Sequence, residues 1–387
     1  MERVWRGVET WANEVQAIWP DPPEAVAMFL DILRGSRLGP GEGWFKKGIA
    51  QTRYNWQNTR DRLDRNRDGG VDRGEFGGSD ADFARLDRDR DRILSASDFD
   101  FTPHALTFTP GMAAFFAADR DGDGRLTHQE WETLFRAADH AGDGFVSLDE
   151  VRESIDGPPG GRRSTSRGPS RLTLIKGLFR QEIGSLQPGP SVGDRAPDFT
   201  LRTLDGAKEV TLSKLVGPRP VVLIFGNFTC GPFRMQAGNV EKLYRHYKDR
   251  ADFVMVYVRE AHPIDGWRME SNDREDIAIA QPRTFAERVA VARTCGKRLD
   301  LGMPMLIDTM DDTVGARYSG MPSRLYLIDH QGRVAYKSGR GPFGFKPTEL
   351  EHSLLLLLQD EFPGLAPKET REIATPGSGR VGSKIKD

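Results

Sequence analysis

The sequence predicts a multidomain chain, an all-α half followed by an α/β half. From residue 57 to 156 it repeats a short Asp-rich loop flanked by helical pattern. From residue 191 to 362 continuous apolar runs alternate with helical stretches, the pattern of a sheet with helical crossovers. Between them, residues 157–170 are rich in Gly, Pro, Arg and Ser, cannot bury a core and read as a flexible linker.

The bulk numbers agree with this division. A length of 387 residues suggests two or three domains, and 37% hydrophobic residues suffice for ordinary cores. The 42 Gly and 24 Pro imply long connections. A formal net charge of −2 provides no field for nucleic acid or an anionic membrane. No apolar run approaches the roughly 18 residues that a membrane span needs. The start, Met1-Glu2-Arg3-Val4-Trp5, lacks the apolar region of a secretory signal. Two cysteines, Cys230 and Cys295, are fewer than a disulfide-stapled secreted protein usually carries. A reducing, cytoplasmic setting is expected.

Residues 1–56 read as a helical lead-in packed on the next domain. An amphipathic stretch at 23–33 opens with Pro23, suited to a first helical turn, and Trp44, Phe45, Tyr54 and Trp56 follow. After the linker a short helix over 172–186 closes the segment 157–190. In the α/β half, strands are expected at 221–225, 253–258, 305–307, 324–328 and 334–337. Helices are expected at 232–250, up to 299, and over 348–358, with a polar insertion at 260–282. The tail, 363–387, reads as disordered.

The Asp-rich loops match a twelve-residue calcium loop, which needs oxygen ligands at positions 1, 3, 5, 7, 9 and 12 and glycine at 6. Loop one places Asp64, Asn66, Asp68, the Gly70 carbonyl, Asp72 and Glu75 there, with Gly69 at the turn. Loop three is also complete, with Asp119, Asp121, Asp123, the Arg125 carbonyl, Thr127 and Glu130 around Gly124. Loop two has Asp87, Asp89, Asp91, Ser95 and Asp98, but Arg92 stands at the turn and the closing residue is one methylene short. Loop four has Asp139, Asp143, Ser147 and Glu150, with Ala141 offering no side-chain oxygen. Loops one and three are expected to bind calcium well, two and four weakly. The pairing is one with two and three with four, joined at position 8 residues such as Val71 and Leu126. These loops resemble the EF-hand family.

The chemistry of the second half centres on Cys230, which follows a buried strand and precedes a helix within Asn227-Phe228-Thr229-Cys230-Gly231-Pro232-Phe233. A helix N-terminus presents unpaired N–H groups and a positive dipole end, so a thiolate is expected there. The stretch resembles the thioredoxin Cys-Gly-Pro-Cys motif, with Phe233 in place of the second cysteine, which leaves no local dithiol cycle. An oxidised Cys230 must then be resolved by Cys295, a partner or a small thiol. Pro322 is the candidate for the cis-proline that redoxins place beside the nucleophile. The entry segment Val192-Gly193-Asp194-Arg195-Ala196-Pro197-Asp198-Phe199 is also typical of redoxins. A thioredoxin-like fold is expected.

Several segments resemble the iodothyronine deiodinase family over residues 192–360. They are Phe225 to Phe233, with Cys230 at the position of the selenocysteine, residues 251–258 followed by Glu260-Ala261-His262-Pro263-Ile264-Asp265-Gly266-Trp267, Glu287-Arg288, and Gly339-Arg340-Gly341-Pro342-Phe343. The resemblance implies reductive removal of halogen from an aromatic ring, with an external thiol reductant or a thioredoxin-like partner. His262 is then the candidate general acid, Glu260 its orienter, and Arg340 an anchor for a substrate carboxylate. Two other readings stay open: a general thiol-disulfide or peroxide reductase, and a non-enzymatic calcium-responsive adaptor.

Overall fold

The computed structural model describes residues 2–36, 49–101, 110–140, 142–156, 170–269, 272–273, 275–341 and 344–365. The lead-in forms α1 (Glu2–Ile18), α2 (Glu24–Leu33) and the short strand β1 (Gln51–Thr52). The Asp-rich loops are flanked by α3 (Trp56–Leu63), α4 (Asp80–Leu86), α5 (Pro110–Ala118), α6 (His128–Ala138) and α7 (Leu148–Asp156). Helix α8 (Arg171–Phe179) leads into β2 (Thr200–Thr203), β3 (Glu209–Thr211), α9 (Leu212–Leu215), β4 (Val221–Gly226), α10 (Gly231–Tyr247) and β5 (Asp252–Tyr257). Then come α11 (Phe285–Arg298), β6 (Met305–Ile307), α12 (Thr313–Arg317), β7 (Arg324–Ile328), β8 (Val334–Lys337) and α13 (Pro347–Glu361).

The eight strands form one sheet in the order β1-β8-β7-β4-β5-β6-β2-β3. β4 runs parallel to β5, and β5 to β6, while β7 lies antiparallel to β4. Every residue of β4 is buried, as an unbroken apolar strand requires when both faces are covered. Its period of two divides the core. Val222 and Ile224 face the layer containing α10 and α13, whereas Val221, Leu223 and Phe225 face Tyr318 and Tyr326. The β4–α10–β5 unit therefore delivers the loop between Gly226 and Gly231 to the carboxyl edge of the sheet. This is the thioredoxin-like arrangement expected for this half.

The two halves are not separate bodies joined by a tether. Val71, Phe76, Phe83, Leu86 and Leu94, from loops one and two and their helices, share one core cluster with Leu354 and Leu358 of α13. Arg250 grips Asp82 with two hydrogen bonds of 3.0 Å. The His352 ring donates from Nε2 to the Leu86 carbonyl at 3.2 Å, and burial pushes its pKa down to about 4.

Several expectations need correction. The lead-in packs α2 on α8 and adds β1 to the edge of the sheet beside β8, rather than lying only on the Asp-rich loops. The helix expected over 172–186 ends at Phe179, because the chain turns through Gln181 at φ 57°. Part of the tail is ordered: a 3-10 turn spans Pro363–Leu365, and the Leu365 carbonyl accepts from Arg250 at 2.7 Å. Trp44, Phe45, Ala141, the linker residues 157–169, Pro342, Phe343 and residues 366–387 lie outside the described residues.

Because Asp82 and Arg250 are both largely buried, removing one leaves an uncompensated charge. Asp82→Ala is expected to lower the unfolding free energy by about 3 kcal/mol, measured by urea denaturation with calcium held constant.

Candidate active site and calcium loops

Gly226 ends β4 where the chain must pass under the Phe233 ring; a Cβ there would lie 2.4 Å from it. The next residue, Asn227, is fully buried and ties three loops together. Its Nδ2 donates to the Pro322 carbonyl at 2.9 Å, and its Oδ1 accepts from Thr229 Oγ at 3.2 Å and from the Ala261 amide at 3.1 Å. Thr229 Oγ accepts from the His262 amide at 3.0 Å. The Met321–Pro322 peptide is cis. Cys230 then caps α10, with Pro232 in the first turn.

Glu260 lies wholly inside the protein. Its carboxylate accepts from the Thr229 amide at 2.8 Å and from the Tyr257 hydroxyl, while that hydroxyl accepts from the Phe228 amide at 3.1 Å. Glu260 thus holds the cysteine loop and not the imidazole, which corrects its expected role as orienter of His262. Burial pushes its carboxyl pKa up, against the pull of the Tyr257 and Thr229 hydrogen bonds. What orients His262 is the Trp267 carbonyl, 3.0 Å from Nδ1, with the Trp267 indole edge-on at 4.8 Å. A carbonyl oxygen carries no proton, so Nδ1 does, and Nε2 of the neutral ring is an acceptor. Burial pushes the His262 pKa down to about 4. The resting imidazole is therefore a base; it becomes an acid only after taking up a proton.

The expected thiolate is also corrected. Cys230 is 1% exposed and sits in the main apolar cluster. Burial pushes its pKa up to about 11, and the amide of Phe233, Arg234 and Ser323 offset only part of that. Desolvation outweighs the helix terminus here. Cys295, on α11, is a second free and buried thiol in the same cluster, its pKa also raised by burial.

Arg340 is not open to solvent. Its Nε donates to Glu24 of α2 at 2.8 Å, and its terminal nitrogens donate to the Ser185 carbonyl at 2.7 Å and Ser319 Oγ at 2.9 Å. Glu24 also faces Arg324 at 3.3 Å. Burial raises the Glu24 pKa, but Arg340 and Arg324 pull it down further, to about 2. The guanidinium expected to meet a substrate carboxylate is held by a carboxylate of the chain itself.

In the Asp-rich half, oxygens of Asp64, Asp68 and Glu75, of Asp87, Asp89 and Asp98, and of Asp119, Asp121 and Glu130 each gather within 4.8 Å. Loop two therefore collects its carboxylates although Arg92, at φ 74°, stands where glycine was expected. Among the described residues loop four forms no such group. The donors fit a hard cation. Among the described residues, Asp64 Oδ1 and Glu130 Oε1 are buried with no hydrogen-bond partner. Burial, with Asp123, Asp121 and Glu130 close by, pushes the Asp119 pKa up to about 7, a repulsion that a bound cation relieves. Val71 and Leu94 form the short bridge that joins loops one and two. No such bridge joins loops three and four among the described residues, where the helices pack instead.

Comparison with known proteins bears on both halves. The iodothyronine deiodinase family model matches residues 172–357, and the EF hand model matches 112–135 and 132–155. Type I iodothyronine deiodinase of Xenopus laevis is 34% identical over 185 residues, which cover 47% of this chain and 71% of that protein. The chain belongs to the iodothyronine deiodinase family. Thyroxine 5-deiodinase of Gallus gallus is 36% identical over 180 residues, 46% of this chain and 68% of that one. Among solved structures, a secreted Mycobacterium tuberculosis disulfide oxidoreductase matches 41% of the chain and 96% of its own length, at 18% identity and a TM-score of 0.30. The chain is thus a deiodinase-family oxidoreductase with EF-hand segments in front of the family domain. No helix among the described residues is long and apolar enough to cross a membrane.

Sequence reading missed how much of this deiodinase-family site is support. Asn227 was legible only as a polar residue just past an apolar strand, and Tyr257 looked like strand core. Arg234, 1% exposed in the second turn of α10, gave no sign of burial. Glu24 looked like an ordinary first-turn acid.

Two pH dependences follow from the buried groups. With the Cys230 pKa at about 11, its iodoacetamide alkylation rate should rise roughly tenfold per pH unit from pH 7 to 10, as its thiolate fraction does. A plateau below pH 8 would show the thiol ionised at rest. His262 titrates near 6.5 when unfolded and at about 4 when folded, so the unfolded chain binds more protons between these values. Its contribution, about 3 kcal/mol, is present above pH 6.5 and lost as pH falls toward 4. Urea midpoints of wild type and His262→Gln should converge on acidification.

Proposed function

We propose that this protein is a calcium-binding, thiol-dependent reductive dehalogenase acting on an iodinated aromatic. The observation that carries the reading is the placement of Cys230 at the N-terminus of α10, with the His262 backbone, the cis-Pro322 loop and the cysteine loop all tied to Asn227 and Thr229. In the proposed reaction the Cys230 sulfur attacks iodine while the ring carbon takes a proton, giving the deiodinated arene and a sulfenyl iodide. An external thiol displaces iodide to leave a mixed disulfide, and a second thiol releases Cys230 and the oxidised reductant. His262 Nε2 accepts the thiol proton as the substrate excludes water, then returns it to the ring carbon. Arg340 meets a substrate carboxylate only if Glu24 yields its place.

Phe233, standing where a second cysteine would make a local dithiol, supports dependence on an external reductant. Cys295 shares the core cluster with Cys230 and is the internal candidate for resolution. Calcium is the cation that suits loops made only of oxygen donors. Asp64, Asn66, Asp68, the Gly70 carbonyl, Asp72 and Glu75 hold one ion, and Asp119, Asp121, Asp123, the Arg125 carbonyl, Thr127 and Glu130 another.

Iodide release from an iodinated phenol with dithiothreitol as reductant tests the chemistry. Cys230→Ser should reduce release to background and His262→Gln by roughly a hundredfold. Full activity in Cys230→Ser would exclude the assignment. Turnover of peroxide or disulfide without halide release, indifferent to His262→Gln, would make the protein a redoxin-type reductase. Isothermal titration should count one calcium fewer in Glu75→Gln and one fewer in Glu130→Gln.

A further inference from the structure

Loop three does not stand free of the redox domain. Its turn glycine, Gly124, lies backbone to backbone against the start of α10: a Cβ on Gly124 would fall 2.1 Å from the Arg234 carbonyl, and one on Gly238 2.4 Å from the Gly124 carbonyl. Arg125 of the same loop reaches across to the Leu299 carbonyl at 3.0 Å and to Asp300 at 2.6 Å. From the other side Arg298 of α11 donates to the Asp121 carbonyl at 3.1 Å and to the Glu275 carbonyl at 3.2 Å, with its guanidinium 5.6 Å from the Phe228 ring.

These contacts continue to the thiol. The Glu275 carboxylate pairs with Arg234. Arg234 donates to the Phe228 carbonyl at 2.7 Å and to Asn272 Oδ1 at 2.8 Å, and Asn272 donates to the Thr229 carbonyl at 3.0 Å. Both carbonyls just before Cys230 are therefore held by side chains that loop three supports. Among the described residues no hydrogen bond or ion pair joins loop one to these groups; its residues and helices pack in the cluster that holds α13.

We infer that loop three is a calcium input to the redox site, acting through Arg298, Glu275 and Arg234 to keep the 228–230 segment closed over Cys230. The geometry that gathers Asp119, Asp121 and Glu130 is the one in which the loop is seated on α10 and the thiol is buried. An ion that binds this geometry shifts the population toward it. Calcium therefore shields the thiol, and its loss frees the segment to open. The inference rests on the calcium binding proposed above but not on the identity of the substrate.

The test uses the full chain, with mass spectrometry reporting Cys230 alkylation by iodoacetamide at pH 9 separately from Cys295. Trp131, next to Glu130 and 53% exposed, reports loop-three occupancy as the fluorescence difference between wild type and Trp131→Phe, a difference that removes the signal of the other tryptophans. Calcium at 1 mM should slow Cys230 alkylation at least fivefold relative to EGTA, a conservative threshold for local protection. Glu130→Gln should lose both the Trp131 response and the slowing, while Glu75→Gln keeps both. Arg298→Ala, at an exposed position, should keep the Trp131 response and lose most of the slowing. The inference is overturned by an equal Cys230 rate with and without calcium while Trp131 responds, by no Trp131 response at all, or by equal effects of Glu75→Gln and Glu130→Gln. A failure of iodide release with the calcium response intact would instead strike the dehalogenase reading.

Discussion

The side-chain amide of Asn227 is the contact on which the site depends. One residue past the end of a buried strand, it bonds the cis-proline loop, the cysteine loop and the loop bearing His262. Each of those loops adjoins a different strand: the cysteine loop leaves β4, the His262 loop leaves β5, and the cis-proline loop leads into β7. A buried amide whose two functional ends are both satisfied is rigid as well as stable, because every departure from the geometry leaves a polar group unpaired. Glu260 and Tyr257 add a second layer behind it by bonding the Phe228 and Thr229 amides.

Two opposing effects meet at Cys230. Its place at a helix N-terminus favours the thiolate, whereas its burial in the apolar cluster favours the thiol, and burial prevails. The imidazole of His262 is likewise neutral at rest. The resting pair is thus uncharged, which costs little inside a core.

Much of this was legible beforehand. The apolar run at 221–225, the Cys-Gly-Pro turn and the oxygen-rich loops are local patterns, and each local pattern lies where it was expected. Pro322, just before an apolar strand, was readable as the candidate cis-proline of the redoxin pattern, and its peptide bond is cis. What stayed hidden depends on contacts between distant segments. Glu24 meets Arg340 across more than three hundred residues, and Arg234 is buried only because the Asn272 segment and loop three close over it. The direction of the Cys230 shift was misread for the same reason, and the lowered His262 pKa was not foreseen: helix position is visible in sequence, and depth of burial is not. The role given to Glu260 failed because its partners are the Tyr257 hydroxyl and the backbone amide of residue 229, a donor that any residue but proline supplies.

The edge strand β1 and the acid Glu24 both come from chain that precedes the Asp-rich loops, yet both complete the sheet domain. One caps the outermost strand; the other balances two guanidiniums that have no solvent to turn to. Dissection at the apparent domain boundary would leave an open sheet edge and surplus positive charge in the interior. The sheet domain is therefore complete only with α2 and β1 in place, and exchanging the Asp-rich module for another would mean grafting within a fold rather than fusing at an end.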